Sequence, residues 1–277
     1  PTPDRKYHEF GKAMKRRFGW LATIQYKIDL VLFALFSHAI TGNRFLLWCF
    51  NKAVERNLMN IKDPELRAKM TPHYPAGCKR LVISEDFYPA IQKANVELVT
   101  EGIERIVPEG VVTKDGKTRE LDILVLATGF YPYKTSVNIT GLNGKTLEQA
   151  WAGSPDMYRT VCVPDFPNYF VLFGPYSPIA NFSIIANSEV QVGYTIKCIE
   201  QIKQGKFKAM HPKASIAESL KDEMREAFKG TVWQGGCDSW YLDDTGIPLS
   251  YPFSMARYRE ELAAPLLHEF ELIDSAR

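Results

Sequence analysis

The segment that most constrains the fold is residues 121–130, which read LDILVLATGF. Its apolar, β-branched run over 123–127 predicts a buried strand, because such a run is too short for a typical helix and shows no polar alternation. Gly129 then allows the backbone to turn where a side chain would collide with a nearby phosphate or ring. A buried strand with a small-residue turn suits close approach by a dinucleotide, although an ordinary strand ending in glycine has the same pattern.

The residues before this strand predict a small β-meander that leads into it. Apolar alternation marks strands at 96–99, 103–107 and 111–113, and the Asp115-Gly116 pair is a typical hairpin turn. After residue 130 we expect a different domain with short apolar strands, such as 168–173, followed by helices. Those helices are predicted at about 183–204, 214–229 and 257–272.

The N-terminal part predicts a helical insert that extends to about residue 72. Its longest apolar helix, about 20–40, is interrupted by Gln25, Lys27 and Asp29, and therefore lacks the roughly 18 consecutive apolar residues of a spanning helix. We predict that this helix is buried against two others, at 45–57 and 64–70. A membrane is therefore an unlikely partner, and a membrane-surface role is the weaker alternative.

Composition indicates a globular chain with an ordinary core. Hydrophobic residues make up 45% and charged residues 24%, and the net charge is +2, which gives no excess for binding nucleic acid. The cysteines are odd in number and lack a Cys-x-x-Cys pair, so we expect reduced thiols, a cytoplasmic location and no zinc site. The histidines are equally scattered, and no metal site is expected. The cysteines are Cys49, Cys78, Cys162, Cys198 and Cys237.

Several short segments, in the expected order, resemble the class B flavoprotein monooxygenases of the Baeyer–Villiger type. They are residues 74–80 (YPAGCKR), 87–89 (FYP), 95–99 (NVELV), 127–129 (ATG), 174–178 (GPYSP) and 237–241 (CDSWY). The most specific are 77–80 and 239–241, since the ATG turn is common to many flavoproteins.

The resemblance implies an α/β fold, the C-terminal part of a flavoprotein with Rossmann-like FAD and NADP domains and a helical insert. It assigns 1–72 to the insert, 73–129 to the last strands of the NADP-binding domain and 130–277 to the FAD-binding domain. The two Gly-x-Gly-x-x-Gly fingerprints of the family are absent. Because the chain also opens at Pro1, we expect a C-terminal portion that needs an N-terminal half, in the same parent chain or a second one.

The implied activity is FAD- and NADPH-dependent conversion of ketones to esters or lactones, with O₂ and a C4a-peroxyflavin. Arg80 would be the catalytic residue, since a guanidinium keeps its charge beside an anionic peroxide. Lys79 would contact the extra phosphate of NADPH, and Trp240 would donate its indole N–H to the nicotinamide nucleotide. Further cofactor contacts are assigned to Ala127, Thr128, Gly129 and Ile184. The substrate pocket, for a small apolar carbonyl compound, is assigned to Tyr176, Ile179, Ala180, Asn181 and Phe182.

Two alternatives stay open. A flavin monooxygenase that oxygenates amines or sulfides uses the same peroxide in its protonated form, and the markers against it are Arg80 and Trp240. A cofactor-less fragment could instead act as a binding module. On its own, the fragment is expected to be inactive.

Overall fold

The computed structural model describes residues 8–79, 81–82, 84–129, 137–178, 182–236 and 242–274. These residues form two compact units. The described part of the first unit lies within Lys52–His73 and Val82–Phe130, and that of the second within Tyr7–Asn51, Tyr74–Leu81 and Tyr131–Arg277. The units thus divide the helical region that the sequence assigned to one insert, and the three-part domain division stays a prediction.

The first unit contains short helices and a three-stranded antiparallel sheet. The sheet has the order β1 (Ile103–Val107), β2 (Gly110–Thr113) and β3 (Thr118–Glu120). The predicted hairpin turn is confirmed, because Gly116 has φ +79° and the Asp115 carboxylate accepts from the Lys117 N–H at 3.2 Å. The helices of this unit are the end of α3 (Arg44–Leu58), α4 (Pro64–Met70) and α5 (Phe87–Ile91). The central strand β2 is buried along its whole length.

The predicted buried strand over 123–127 does not form. Ile123 and Val125 are each 79% exposed and Leu126 is 72% exposed, and no strand of the described chain pairs with this segment. Residues 96–99 also form no strand. The strand predictions were wrong at both places for one reason: an extended segment becomes a strand only when a neighbour satisfies its backbone groups.

The second unit is mainly helical. It contains α1 (Glu9–Arg17), α2 (Gly19–Ile40), the start of α3, α6 (Leu147–Trp151), α7 (Ile184–Lys203), α8 (Ala214–Ala227) and α9 (Met255–Glu261). Two strands, β4 (Ala209–Pro212) and β5 (Phe270–Ile273), pair antiparallel. Fully buried tyrosines dominate its core, and each large side chain contributes about 1.5–3 kcal/mol by burial. They are Tyr158, Tyr176, Tyr194 and Tyr258.

Two secondary-structure predictions for this unit need correction. The last helix ends at Glu261 and the chain enters β5, because Pro265 lacks the N–H that a helix needs. Residues 168–173 form a single bridge, between Cys162 and Phe170, and no strand. Asn168 and Phe173 have φ of +54° and +57°, which lies outside strand geometry.

The predictions for α2 and for the cysteines also need correction. Of the residues of α2, only Ser37, Ala39 and Ile40 are buried, so the helix is not the buried one that was expected. The helix is long and apolar enough to cross a membrane by length and composition. Cys78 is disulfide-bonded, whereas Cys49, Cys162 and Cys198 are free thiols, so the prediction of reduced thiols throughout was wrong at Cys78.

Candidate active site

The segment that carries the predicted catalytic residues has a rigid base. The Cys78 N–H donates to the Pro75 carbonyl at 3.2 Å, which closes a turn. Gly77 has φ +88°, and a Cβ at this position would lie 2.6 Å from the Ile40 Cγ2. Only glycine therefore fits between this turn and α2. The buried Cys78 side chain fixes the same turn through its disulfide, so Lys79 leaves the core from a defined position.

Lys79 is exposed, as a phosphate ligand must be. Its Nζ lies 4.8 Å from the centroid of the Tyr74 ring. A cation–π contact at an exposed site is worth about 0.5–1 kcal/mol, enough to favour one direction of the side chain without hiding its charge. Arg80 lies outside the described residues, and its catalytic role stays a prediction.

The segment that leads into the second family-specific motif, 239–241, packs beside the segment that leads into the first, 77–80. Val232–Gln234 form a 3-10 turn directly before Gly235. A Cβ on Gly235 would lie 2.4 Å from the Pro75 Cγ, and the Val232 Cγ2 is 3.8 Å from the Cβ position of Gly77. Residues 237–241, with Trp240, lie outside the described part. The structure thus brings together the two segments that lead into 77–80 and 239–241, which sequence spacing alone did not predict.

The predicted substrate segment begins in a tightly packed loop. A Cβ on Gly174 would lie 2.6 Å from the Thr160 carbonyl oxygen, so the loop presses directly on the neighbouring backbone. Tyr176 has φ +66° and is fully buried. Its hydroxyl lies 3.4 Å from the Ser154 Oγ, and burial raises the pKa of Tyr176 to about 12. The side chain is thus a core residue, and its assignment to the substrate pocket rests on the resemblance alone.

The remaining predicted pocket residues lie at or beyond the limit of the described loop. Phe182 is partly buried and packs against the core of the second unit. Ile179, Ala180 and Asn181 lie outside the described residues. Their assignment to the pocket stays a prediction.

A buried amide on α7 holds this loop. Gln191 is fully buried, and its Oε1 accepts from the Phe173 N–H at 3.0 Å. Its Nε2 lies 2.8 Å from the Tyr258 hydroxyl, 3.0 Å from the Ser177 Oγ and 3.1 Å from the Thr160 Oγ1. An amide nitrogen has only two hydrogens, so the three hydroxyls share them. This network secures a loop with two residues in the left-handed region, a conformation that costs of order 1–3 kcal/mol per non-glycine residue.

Sequence reasoning missed Gln191, yet a signal was present. The buried face of α7 contains Asn187, Gln191, Tyr194 and Cys198, which follow the spacing of one helix face. Ile185, which hydrophobicity would place inside, is 73% exposed. If the buried face of α7 had been predicted from the positions of Asn187 and Gln191, and not from those of Ile184 and Ile185, it would have included the network.

Ile184, a predicted cofactor contact, is the first residue of α7. The Ser183 Oγ caps the helix by accepting from the Ala186 N–H at 3.5 Å. Ile184 itself is 44% exposed, so the positive end of a 20-residue helix is accessible.

The Ala-Thr-Gly turn belongs to the first unit. Ala127, Thr128 and Gly129 are all exposed. Gly129 has φ +102°, and no atom lies within 4 Å of the position that a Cβ would take. The backbone at Gly129 is therefore open to solvent, and the cofactor contacts assigned to 127–129 stay predictions. Among the residues that the structure describes, no cluster of His, Cys, Asp or Glu could hold a metal ion.

Comparison with known proteins places the chain among flavoprotein monooxygenases. No family model matches the chain. An uncharacterized monooxygenase of Mycobacterium tuberculosis is 37% identical over 274 residues, which is 98% of this chain and 55% of that protein. A Baeyer–Villiger monooxygenase of Pseudomonas aeruginosa is 33% identical over 87% of this chain and 47% of its own length. The chain thus spans about half the length of the curated relatives it matches.

A solved structure of a related flavoprotein also matches the chain. The chain matches the crystal structure of OTEMO in complex with FAD and NADP with a TM-score of 0.74 and 25% identity, over 83% of this chain and 45% of that one. The match supports the expected fold class, part of a flavoprotein with Rossmann-like domains. Over the half-length that it shares with these proteins, the chain is related to the flavoprotein monooxygenases, which include a relative named as a Baeyer–Villiger monooxygenase.

Proposed function

We propose that the complete protein is an FAD- and NADPH-dependent Baeyer–Villiger monooxygenase that inserts an oxygen atom from O₂ beside the carbonyl of a small apolar ketone. The observation that carries this proposal is the packing of Gly235 and Val232 against Pro75 and Gly77. It places the bases of the two family-specific motifs side by side. The name of the Pseudomonas aeruginosa relative supports the same activity.

The described residues fit the two cofactors. The open backbone at Gly129 suits the approach of a nucleotide. The exposed N-terminus of α7 offers a positive dipole end to an electron-rich group, as flavin edges are. Lys79 offers an exposed ammonium group that suits the extra phosphate of NADPH. When bound, the flavin supplies the activation of O₂ and NADPH supplies the hydride.

The side chains of this chain would act by position and charge. Arg80 would provide a permanent cation beside the negative charge that develops on the substrate oxygen, because a guanidinium stays protonated at any working pH. The turn at Gly77 and Cys78 would fix the base from which Arg80 extends. The Gln191 network would hold the loop that leads to 179–182, and so would shape the wall of the substrate pocket.

We also propose that the N-terminal half of the enzyme, in the same parent chain or a second one, supplies the glycine fingerprints that hold both pyrophosphates. The exposed apolar residues Ile123, Val125 and Leu126 support such a partner. A cytoplasmic location fits a protein that uses NADPH.

The test is turnover by the complete protein with FAD and NADPH. We expect ketone-dependent NADPH oxidation and an ester or lactone product by gas chromatography. Arg80→Ala should abolish product while the flavin absorbance at about 450 nm is retained. Arg259→Ala, which removes an exposed arginine on α9, should leave the rate unchanged. Oxidation of a sulfide without any ketone product, or full activity of Arg80→Ala, would contradict the proposal.

A further inference from the structure

Helix α2 presents an apolar stripe that the rest of the described chain leaves uncovered. Trp20, Ile24, Ile28, Val31 and Leu35 follow helical spacing along one face. Each is at least 45% exposed. The helix is anchored only at its C-terminal end, where Ser37, Ala39 and Ile40 are buried. Such a long exposed apolar stripe marks an interaction surface.

The cation and the anion of α2 lie on different sides of the helix. Lys27 lines a shallow groove together with residues of the stripe, namely Ile24, Ile28, Val31 and Leu32. Asp29 lies on the far side of the helix, where its carboxylate accepts from the Gln25 Nε2 at 3.0 Å. The stripe is therefore flanked by a cation and kept apart from the only anion of the helix. A long lysine side chain beside apolar surface can direct its ammonium group to a polar boundary.

Helix α1, which precedes α2, adds further positive charge next to it. Basic residues occupy the last turn of α1, namely Lys15, Arg16 and Arg17. From His8 to Trp48 the sequence contains six Lys and Arg and two acidic residues. This segment thus carries net charge +4, whereas the whole chain carries +2. Exposed aromatic rings accompany it, including Phe45 and Trp48, which stack with centroids 6.3 Å apart.

We propose that α1 and α2 form a docking surface for an anionic lipid bilayer, on which α2 lies in the plane of the membrane with its stripe toward the acyl chains. An exposed apolar stripe, flanking cations and interfacial aromatics are features of helices that bind in this way, and Tyr26, Leu32 and Phe33 add exposed apolar surface outside the stripe. Anionic headgroups would pair with Lys27, Arg16 and Arg17. Gln25 and Asp29 face away from the stripe, which fits a helix that lies on the membrane and does not cross it. This inference does not depend on the proposed oxygenation.

The test is co-sedimentation of the complete protein with vesicles of phosphatidylcholine alone or with 30% phosphatidylglycerol. We expect binding only to the anionic vesicles, weakened by salt. Ile28→Glu with Val31→Glu should reduce the partition coefficient by at least about tenfold, because charge on the buried face opposes insertion. Arg16→Gln with Arg17→Gln should reduce it by about fivefold per cation. Ala22→Glu, on the opposite face of α2, is the matched control and should bind like the wild type.

Two outcomes would overturn the proposal. If the folded protein does not bind anionic vesicles and the stripe variant is less stable than the control variant, polypeptide covers the stripe. If binding is equal on both kinds of vesicle, the cations have no role and the surface is not a site for anionic lipid.

Discussion

The Gln191 network makes a quantitative prediction that the free energy of unfolding can test. Gln191→Leu keeps the approximate volume of the side chain but removes its amide. The Phe173 N–H then loses its acceptor and the Ser177 hydroxyl loses its contact with Nε2. Thr160 and Tyr258 keep their mutual hydrogen bond and Ser177 keeps Tyr258 as a partner, so the Phe173 N–H is the group that loses its acceptor.

The expected loss in the free energy of unfolding follows from the hydrogen bonds that Gln191→Leu removes. Leaving a buried donor or acceptor unsatisfied costs about 1–3 kcal/mol. The Phe173 N–H is one such group and is partly buried, so we expect a total loss of about 1–3 kcal/mol. For a domain of about 150–250 residues, this loss corresponds to a fall in Tm of roughly 2–12 °C.

Urea unfolding of the complete protein, followed by circular dichroism, measures the change. The control is Gln201→Leu, the same substitution at a half-buried site of the same helix, which should change stability by less than about 0.5 kcal/mol. A loss at Gln191 no larger than that of the control would show that the loop does not depend on the amide, and the reasoning would fail.

Two further predictions concern the same region. Gly174→Ala should destabilise the protein by more than about 2 kcal/mol in the same urea experiment, because the new Cβ would lie 2.6 Å from a backbone oxygen; an unchanged midpoint would refute it. Stability should also fall from about pH 9 upward, since burial raises the pKa of Cys198 to about 11 and that of Tyr176 to about 12. The unfolded chain releases these protons first, near the ordinary pKa values of 9 and 10, which lowers the free energy of the unfolded state relative to the folded state until the folded groups ionise. Tyr176→Phe should flatten the decline between pH 10 and 12, and an unchanged slope would contradict the cause.

Local signals predicted the helices well, because caps and turns are encoded within a few residues. Asp63 accepts from the Glu65 N–H at 3.0 Å and begins α4, and the Asp115-Gly116 pair forms its hairpin as expected. Local signals do not show where the Tyr176 ring lies, because its burial depends on distant contacts such as the one with Ser154. Residue type shows that an aromatic ring can line a pocket, but only the tertiary structure shows where the ring lies.

The site could be predicted in part. The sequence pointed to 77–80 and 239–241 through resemblance, and the structure brings the bases of both together at Gly77 and Gly235. Sequence reasoning missed Gln191, because a glutamine within an apolar helix is usually placed on the solvent side, and its helical spacing from Asn187, Tyr194 and Cys198 was not used. Burial of that amide requires partners, and its hydroxyl partners come from three separate segments of the chain.

Two exposed apolar surfaces, the stripe of α2 and residues 123–126, differ in how their backbone groups are hydrogen-bonded. We therefore expect them to bind different partners. Residues of α2 satisfy their N–H and C=O groups within the helix, so this surface can face hydrocarbon. Ile123, Val125 and Leu126 have no neighbouring strand in the described chain, so most of their backbone groups would lose water without replacement in hydrocarbon, whereas another polypeptide strand could pair with them. We therefore expect the N-terminal half to slow amide hydrogen exchange at 123–126 by at least about a hundredfold. The same half should leave stripe positions of α2 accessible to a cysteine-directed label, tested with Ile28→Cys. Loss of labelling at that position in the assembled protein would assign both surfaces to protein contacts.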